Sequence, residues 1–159
     1  MQKAQRGKNS AFNASTYRLG IVVADFNADV TSKLLASAKA EAKKYLLPSR
    51  SLAVHRVAGS VEIPVVLKAL AEAGKYDALV ALGAIIRGET DHYAYVAELV
   101  TGGVLEVMID DEPIPVGFGV LTCETKEQAL ARTHSGAGAV AAALGAARVL
   151  RHIRGKHTA

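Results

Sequence analysis

Tryptophan is absent from this chain of 159 residues, cysteine occurs once, proline four times, and aromatic residues make up only 5%. The single Cys123 excludes an internal disulfide framework. No apolar run reaches the length needed to cross a bilayer, so no membrane partner is expected. The opening Met1-Gln2-Lys3-Ala4-Gln5-Arg6 lacks the apolar core of a secretory signal. The default expectation is a cytoplasmic protein, with an organelle left open in case a transit peptide has been removed.

A surplus of acid is also lacking, since the formal net charge is +4. The distribution removes the obvious reading. Lys3, Arg6 and Lys8 lie at one end and Arg148, Arg151, Arg154 and Lys156 at the other, with no acid beside either group. The body between them holds 12 of the 19 basic residues and all 15 acidic ones. No basic stripe is interleaved with aromatics, so no nucleic-acid partner is expected. The basic ends read as solubilising tails.

What is present is a chain that is 50% apolar, rich in Ala, Val, Leu and Gly. That is enough for one domain with a core of closely packed helices on a sheet. Residues 1–16 are polar and unpatterned and read as a flexible arm, with a single domain over 17–159. Strand-like runs fall at Arg18–Ala24, Ser51–Val57, Ala78–Ala84 and Pro115–Leu121. Helical spacing fills the intervals: Asp29–Tyr45, Glu62 to Gly74, Asp91 to Met108, Thr125–Arg132 and Ala137–Arg154. Strands alternating with helices imply a parallel sheet covered on both faces by right-handed crossovers. Ligands of such sheets bind beyond the carboxyl ends of the strands, where strand order reverses. Four segments fall there: Asp25-Phe26-Asn27, Ala58 to Glu62, Gly83 to His92, and Thr122-Cys123.

Gly83-Ala84-Ile85-Ile86-Arg87-Gly88-Glu89-Thr90 nearly matches a nucleotide-binding P-loop, but Glu89 stands where that loop needs lysine. A carboxylate there repels phosphates instead of bridging them, so nucleotide hydrolysis is not expected. Backbone N–H groups at a glycine turn and helix start can still hold a single phosphate; the alternative is an ordinary strand–helix connection. His92 follows at the helix start. The positive end of the dipole favours a neutral imidazole that can accept a proton, against an idle exposed histidine. Arg132 ends a short helix and suits bidentate phosphate contact, Phe26 suits ring stacking or core packing, and Glu62 suits a ligand contact or a helix start. The five histidines show no metal-ligand spacing, the GxGxxG fingerprint is missing, and Asp25 alone does not make a phosphoacceptor cluster.

Taken in order, these residues resemble the 6,7-dimethyl-8-ribityllumazine synthase family. The markers are Phe26-Asn27, Gly59-Ser60-Val61-Glu62-Ile63-Pro64, Lys75-Tyr76-Asp77-Ala78, Ala81-Leu82-Gly83, Ile86-Arg87-Gly88-Glu89-Thr90 with His92-Tyr93, Phe118-Gly119-Val120-Leu121-Thr122, and Glu127-Gln128-Ala129 with Arg132. No one tag is decisive, whereas the ordered set is specific. The resemblance implies a flavodoxin-like three-layer αβα sandwich with a four-stranded parallel sheet. It also implies a homopentamer, in some members twelve pentamers forming a 60-subunit icosahedral shell, with sites between subunits.

The implied activity is a transferase of riboflavin synthesis with two small-molecule substrates and no metal or redox cofactor. By match, Phe26 stacks on the pyrimidine of 5-amino-6-(D-ribitylamino)uracil. Ser60, Val61 and Glu62 hold the ribityl chain and ring edge, and Ala84, Ile85 and Ile86 line the pyrimidine. Glu89 and Thr90 offer donors to the phosphate of 3,4-dihydroxy-2-butanone 4-phosphate, Arg132 adds charge, Phe118 reaches in from an adjoining subunit, and His92 moves protons.

The likeness is incomplete. Where the family usually continues Ala-Gly-Thr-Lys-Ala-Gly-Asn-Lys-Gly after the arginine, this chain reads Thr133-His134-Ser135-Gly136-Ala137-Gly138-Ala139-Val140-Ala141. Both lysines are replaced, by Gly136 and Val140; Asp25 replaces a common Arg, and Ala58 a common Pro. The alternative expectation is therefore a weak or inactive paralogue, or an engineered variant, acting as an assembly or ligand-binding protein.

Overall fold

The computed structural model describes residues 10–155. Four parallel strands form one sheet in the order β2-β1-β3-β4, where β1 is Leu19–Ala24, β2 Leu52–Val57, β3 Ala78–Ile86 and β4 Val116–Cys123. The helices are α1 (Ala28–Lys44), α2 (Ile63–Glu72), α3 (His92–Ile109), α4 (Lys126–Leu130) and α5 (Ser135–Ile153), with single 3-10 turns at Ser49–Ser51 and Ser60–Glu62. This is the expected flavodoxin-like αβα sandwich.

The period-2 alternation of a strand divides the core in two. Leu19, Ile21 and Val23 of β1 and Val80, Leu82 and Ala84 of β3 pack under α1 and α5. Val22, Leu79, Ala81 and Ile85 face the other way, under α2 and α3. Both faces are covered, which is why the central strands β1 and β3 read as unbroken apolar runs. Chain direction explains the division. The step from β1 to β2 and the steps from β2 through β3 to β4 run opposite ways across the sheet. Crossovers of one hand then place α1 on one face and α2 and α3 on the other.

Glycine sets how closely α5 approaches. A Cβ on Gly136 would lie 2.1 Å from the Leu34 carbonyl oxygen of α1, and one on Gly117 would lie 2.0 Å from that of Ala139. Backbone meets backbone at both points.

The first described residues and the arginines of α5 behave differently from their sequence pattern. Of the expected arm, residues 1–9 lie outside the described residues, but Ala14 is fully buried and its N–H donates to the Tyr45 carbonyl at 2.7 Å. Phe12 packs edge-on against Tyr17 and Tyr45, with ring centroids 5.6 and 5.3 Å away. Arg148 lies over the Phe12 ring and Arg151 over Tyr17. Arg151 also donates to Asp77 (3.0 Å) and to the Thr16 hydroxyl, while Asp77 accepts the Arg18 N–H. Arg151 is therefore structural: partly buried, paired with Asp77 and stacked on a ring, unlike an exposed ion pair, while the exposed Arg148 covers the Phe12 ring. Among the described residues no helix is long and apolar enough to cross a membrane.

Two glycine substitutions of opposite sign test this packing. Gly136→Ala gains about 1 kcal/mol of helix propensity but must push α5 off Leu34, at a cost typical of overpacking, about 1–3 kcal/mol. A net loss of stability is expected. At Gly138 a Cβ meets nothing within 4 Å, so Gly138→Ala keeps the propensity gain and should raise the melting temperature. Calorimetry of the two variants should show these opposite shifts.

Candidate functional site

The β1 and β3 ends lie side by side where strand order reverses, and the segments that follow them depart to opposite faces. The ladder between β1 and β3 stops at Val23–Leu82, whereas that between β3 and β4 runs on to Ile86–Cys123. The end of β3 thus protrudes, with one edge free of any strand. A cleft of about 430 Å³ opens there, lined among others by Phe26, Ser60, Val61, Glu62, Ala84, Ile85, Ile86, Thr90 and His92.

Phe26 forms one wall. The N–H groups of Asp25 and Phe26 donate to the carbonyls of Val57 and Ala58 at 2.8 and 2.9 Å, prolonging the β1–β2 pairing past its last rung. Asn27 then turns the chain into α1 through a left-handed conformation, φ 59°. The ring of Phe26 remains 71% exposed, so core packing is not its role. Arg56 and Asp25 pair at the rim at 2.5 Å. Both are half exposed, and such a pair contributes little to stability.

The second wall is the turn after β2. Gly59 donates its N–H to a Glu62 carboxylate oxygen at 2.8 Å, so Glu62 closes the turn ahead of α2 as well as lining the cleft. Ser60 is buried against Gly83, where a Cβ would come within 2.6 Å of its hydroxyl oxygen. Gly83 is therefore a mid-strand glycine that makes room for Ser60. It does not open a phosphate loop: the resemblance to a P-loop ends with the strand running on to Ile86, and the turn proper is only Arg87 to Asp91.

That turn leads into α3. Thr90 accepts the His92 N–H at 3.4 Å, and Asp91, the expected cap, makes no side-chain cap bond. His92 is exposed at the first position of the helix and borders the cleft. Tyr93 and Val96 line it too, as do Gly59 and Gly88. The sequence reading placed Gly59 and Gly88 in ligand-facing segments but missed Tyr93 and Val96 as site residues. Tyr93 and Val96 are three apart on one helix, a spacing shared with core positions, so only the direction of α3 distinguishes them.

Three expected residues fall outside this cleft. Glu89 is exposed in the turn but does not line it. Phe118 lies opposite Ala81 on edge strand β4, its side chain 42% exposed. Arg132 follows α4 and donates to the Gln128 carbonyl at 2.9 Å. Helix α4 is capped by the Thr125 hydroxyl and tied to the start of α1 by a Lys126–Asp29 pair at 2.6 Å. That hydrogen bond holds the Asp29 carboxyl below the usual carboxylate range and raises Lys126. Downstream, Gly136 abuts Leu34, and Val140 is wholly buried in the core under α1 and α5. A lysine at either position would have to displace that packing.

A second hollow of about 290 Å³ lies at the opposite end of the sheet, lined by Lys75, Asp77, Glu112, Arg151 and Arg154 among others. Arg151 and Asp77 there are bound to each other, and Arg154 donates to the Pro113 carbonyl. Those bonds hold α5 in place. The groups suited to chemistry gather in the first cleft: an exposed aromatic ring, an apolar strand floor, a buried hydroxyl and an imidazole at a helix start.

The pattern of 6,7-dimethyl-8-ribityllumazine synthase matches residues 16–151. A relative from Saccharopolyspora erythraea described as 6,7-dimethyl-8-ribityllumazine synthase is 45% identical over 157 residues, covering 94% of this chain and 92% of that protein.

Gly83→Ala probes the Ser60 wall. The added methyl must turn the Ser60 hydroxyl toward the cleft or shift the turn carrying it, and a severalfold rise in the KM of the ligand held there is expected. Steady-state kinetics showing wild-type KM values would mean that Ser60 swings aside freely.

Proposed function

Because the chain belongs to the 6,7-dimethyl-8-ribityllumazine synthase family, we infer that this cleft condenses 5-amino-6-(D-ribitylamino)uracil with 3,4-dihydroxy-2-butanone 4-phosphate, releasing phosphate and water. The observation that carries the residue assignment is that nine of the twelve expected site residues line one cleft at the strand-order reversal. The exposed Phe26 ring stacks on the pyrimidine over the floor formed by Ala84, Ile85 and Ile86. Ser60, Val61 and Glu62 take the ribityl chain and ring edge. Thr90 and the backbone of the Gly88–Thr90 turn, Glu89 included, receive the phosphate beside the start of α3, where unpaired N–H groups and the dipole favour an anion.

The uracil amine adds to the ketone and loses water to give an imine. Phosphate leaves by elimination to give an enol, which tautomerises to a new ketone at the carbon that carried the hydroxyl, and attack of the second amine on that ketone, with loss of water, closes the ring. His92 moves the protons that these steps transfer. Holding the two substrates together supplies the larger part of the acceleration.

Phe118 and Arg132 are assigned to the cleft of an adjoining copy. Both are exposed and neither lines the chain's own cleft, which supports that assignment. The reading includes a homopentamer, with assembly into a 60-subunit shell as its larger form, working in the cytoplasm. Sedimentation velocity distinguishes the two assemblies. With Gly136 and Val140 in place of lysines, the positive charge at the phosphate rests mainly on Arg132. A protein that assembles but does not release phosphate from the two substrates above the uncatalysed rate would overturn the enzymatic reading.

His92→Ala is expected to lower kcat severalfold or more with assembly intact, as measured by product formation beside sedimentation. Arg132→Ala should mainly raise the KM for the butanone phosphate. An unchanged KM in that variant would remove Arg132 from the phosphate site.

A further inference from the structure

We propose that Asn27 is a positioning residue: its side-chain amide fixes the gap between the Phe26 ring and the floor strand, and so sets the fit for the planar ring of the substrate. The inference rests on the stacking role assigned to Phe26.

Asn27 stands at the N-cap of α1, where an asparagine side chain ordinarily accepts an N–H from the first turn. Here it makes no cap bond. The cap is satisfied instead by the Asn27 backbone carbonyl, which accepts the N–H groups of Val30 and Thr31 at 2.9 and 3.0 Å. The side chain reaches away from the helix, and its Nδ2 donates to the Ala84 carbonyl at 2.9 Å. That carbonyl lies beyond Leu82, the last residue of β3 paired with β1. The amide therefore supplies one more rung where the strand has ended.

The identity of the residue follows from two demands. The backbone needs a left-handed conformation, φ 59° and ψ 48°, which glycine, asparagine and aspartate tolerate best. The floor needs a donor toward a carbonyl. Glycine has no side chain to donate, and aspartate presents oxygens that repel one. Of the three, only asparagine meets both demands.

The neighbour of Asn27 is the residue whose placement matters. Phe26 is tied on its other side to the Ala58 carbonyl, and its ring is too exposed to be oriented by packing. The ring direction is thus set by its backbone, which is pinned between Ala58 on one side and, through Asn27, Ala84 on the other. Ala84 also lines the cleft. Losing the amide frees Phe26 to drift relative to the floor without removing any atom that touches the substrate.

The test is a double-mutant cycle on the assembled protein, with 5-amino-6-(D-ribitylamino)uracil as the probe in calorimetric binding and both substrates in kinetics. Phe26→Ala and Asn27→Gly are each expected to weaken uracil binding about tenfold, and Asn27→Gly should leave the KM for the butanone phosphate within about twofold. The double variant should bind within about twofold of Phe26→Ala alone, because Asn27 acts through the ring. Asn27→Asp, which keeps the size and the left-handed turn, should behave like Asn27→Gly and stands in for it if the glycine variant does not fold.

Losses that multiply in the double variant would overturn the proposal, as would wild-type binding by Asn27→Asp or an equal weakening for both substrates. If Phe26→Ala itself binds normally, the stacking reading fails and the inference with it. If Phe26→Ala weakens binding and the Asn27 variants do not, the inference alone fails.

Discussion

The cleft exists because β1 and β3 are neighbours in the sheet while the chain leaves them toward opposite faces. One hand of crossover places α1 on one side and α3 on the other, and among the described residues no strand fills the space between their starts. The end of β3 extends into that space with an edge that β1 does not reach. Phe26, the Ser60 turn and the start of α3 are brought to one place by this reversal, although they lie far apart in sequence.

The rest of the molecule keeps the strand ends rigid. At the far end of the sheet, Arg151 joins Asp77, Thr16 and the Tyr17 ring, so α5, the start of β3 and the first described residues hold together. Along the face that α1 and α5 cover, the contacts at Gly136 and Gly117 bring α5 against α1 and β4 with no side chain between them. A frame packed this tightly has little room for added methyl groups at these contacts. Lysines at positions 136 and 140 would have to displace the same packing.

Most of the fold was legible. Strands β1 and β3 are buried on both faces and read as apolar runs, and the helices carried a 3.6-residue pattern, so element types and order followed from local periodicity. Boundaries moved where tertiary pairing competed with local signals. Strand β3 runs two residues past its expected end, because Ile85 and Ile86 pair with Thr122 and Cys123 of β4. The polar stretch before Tyr17 looked like a free arm, since Phe12 and Ala14 have no periodicity, yet both are held by Tyr45 from a distant helix. Arg148 and Arg151 read as a solubilising tail because charge alone does not reveal a ring to stack on or a carboxylate to meet.

For the site, the sequence by itself determined the chemistry available: one exposed ring after a strand, a hydroxyl and a carboxylate in one turn, an imidazole at a helix start and a lone arginine after a short helix. Their order also determined the family. Only the tertiary structure decided which of them share a cleft, that Gly83 is a seat for Ser60 in mid-strand, and that the amide of Asn27 faces Ala84 instead of capping α1. The reason is physical. Residue types and spacing are local properties of the chain, whereas the end of a ladder and the free edge beyond it exist only when strands of different lengths lie side by side.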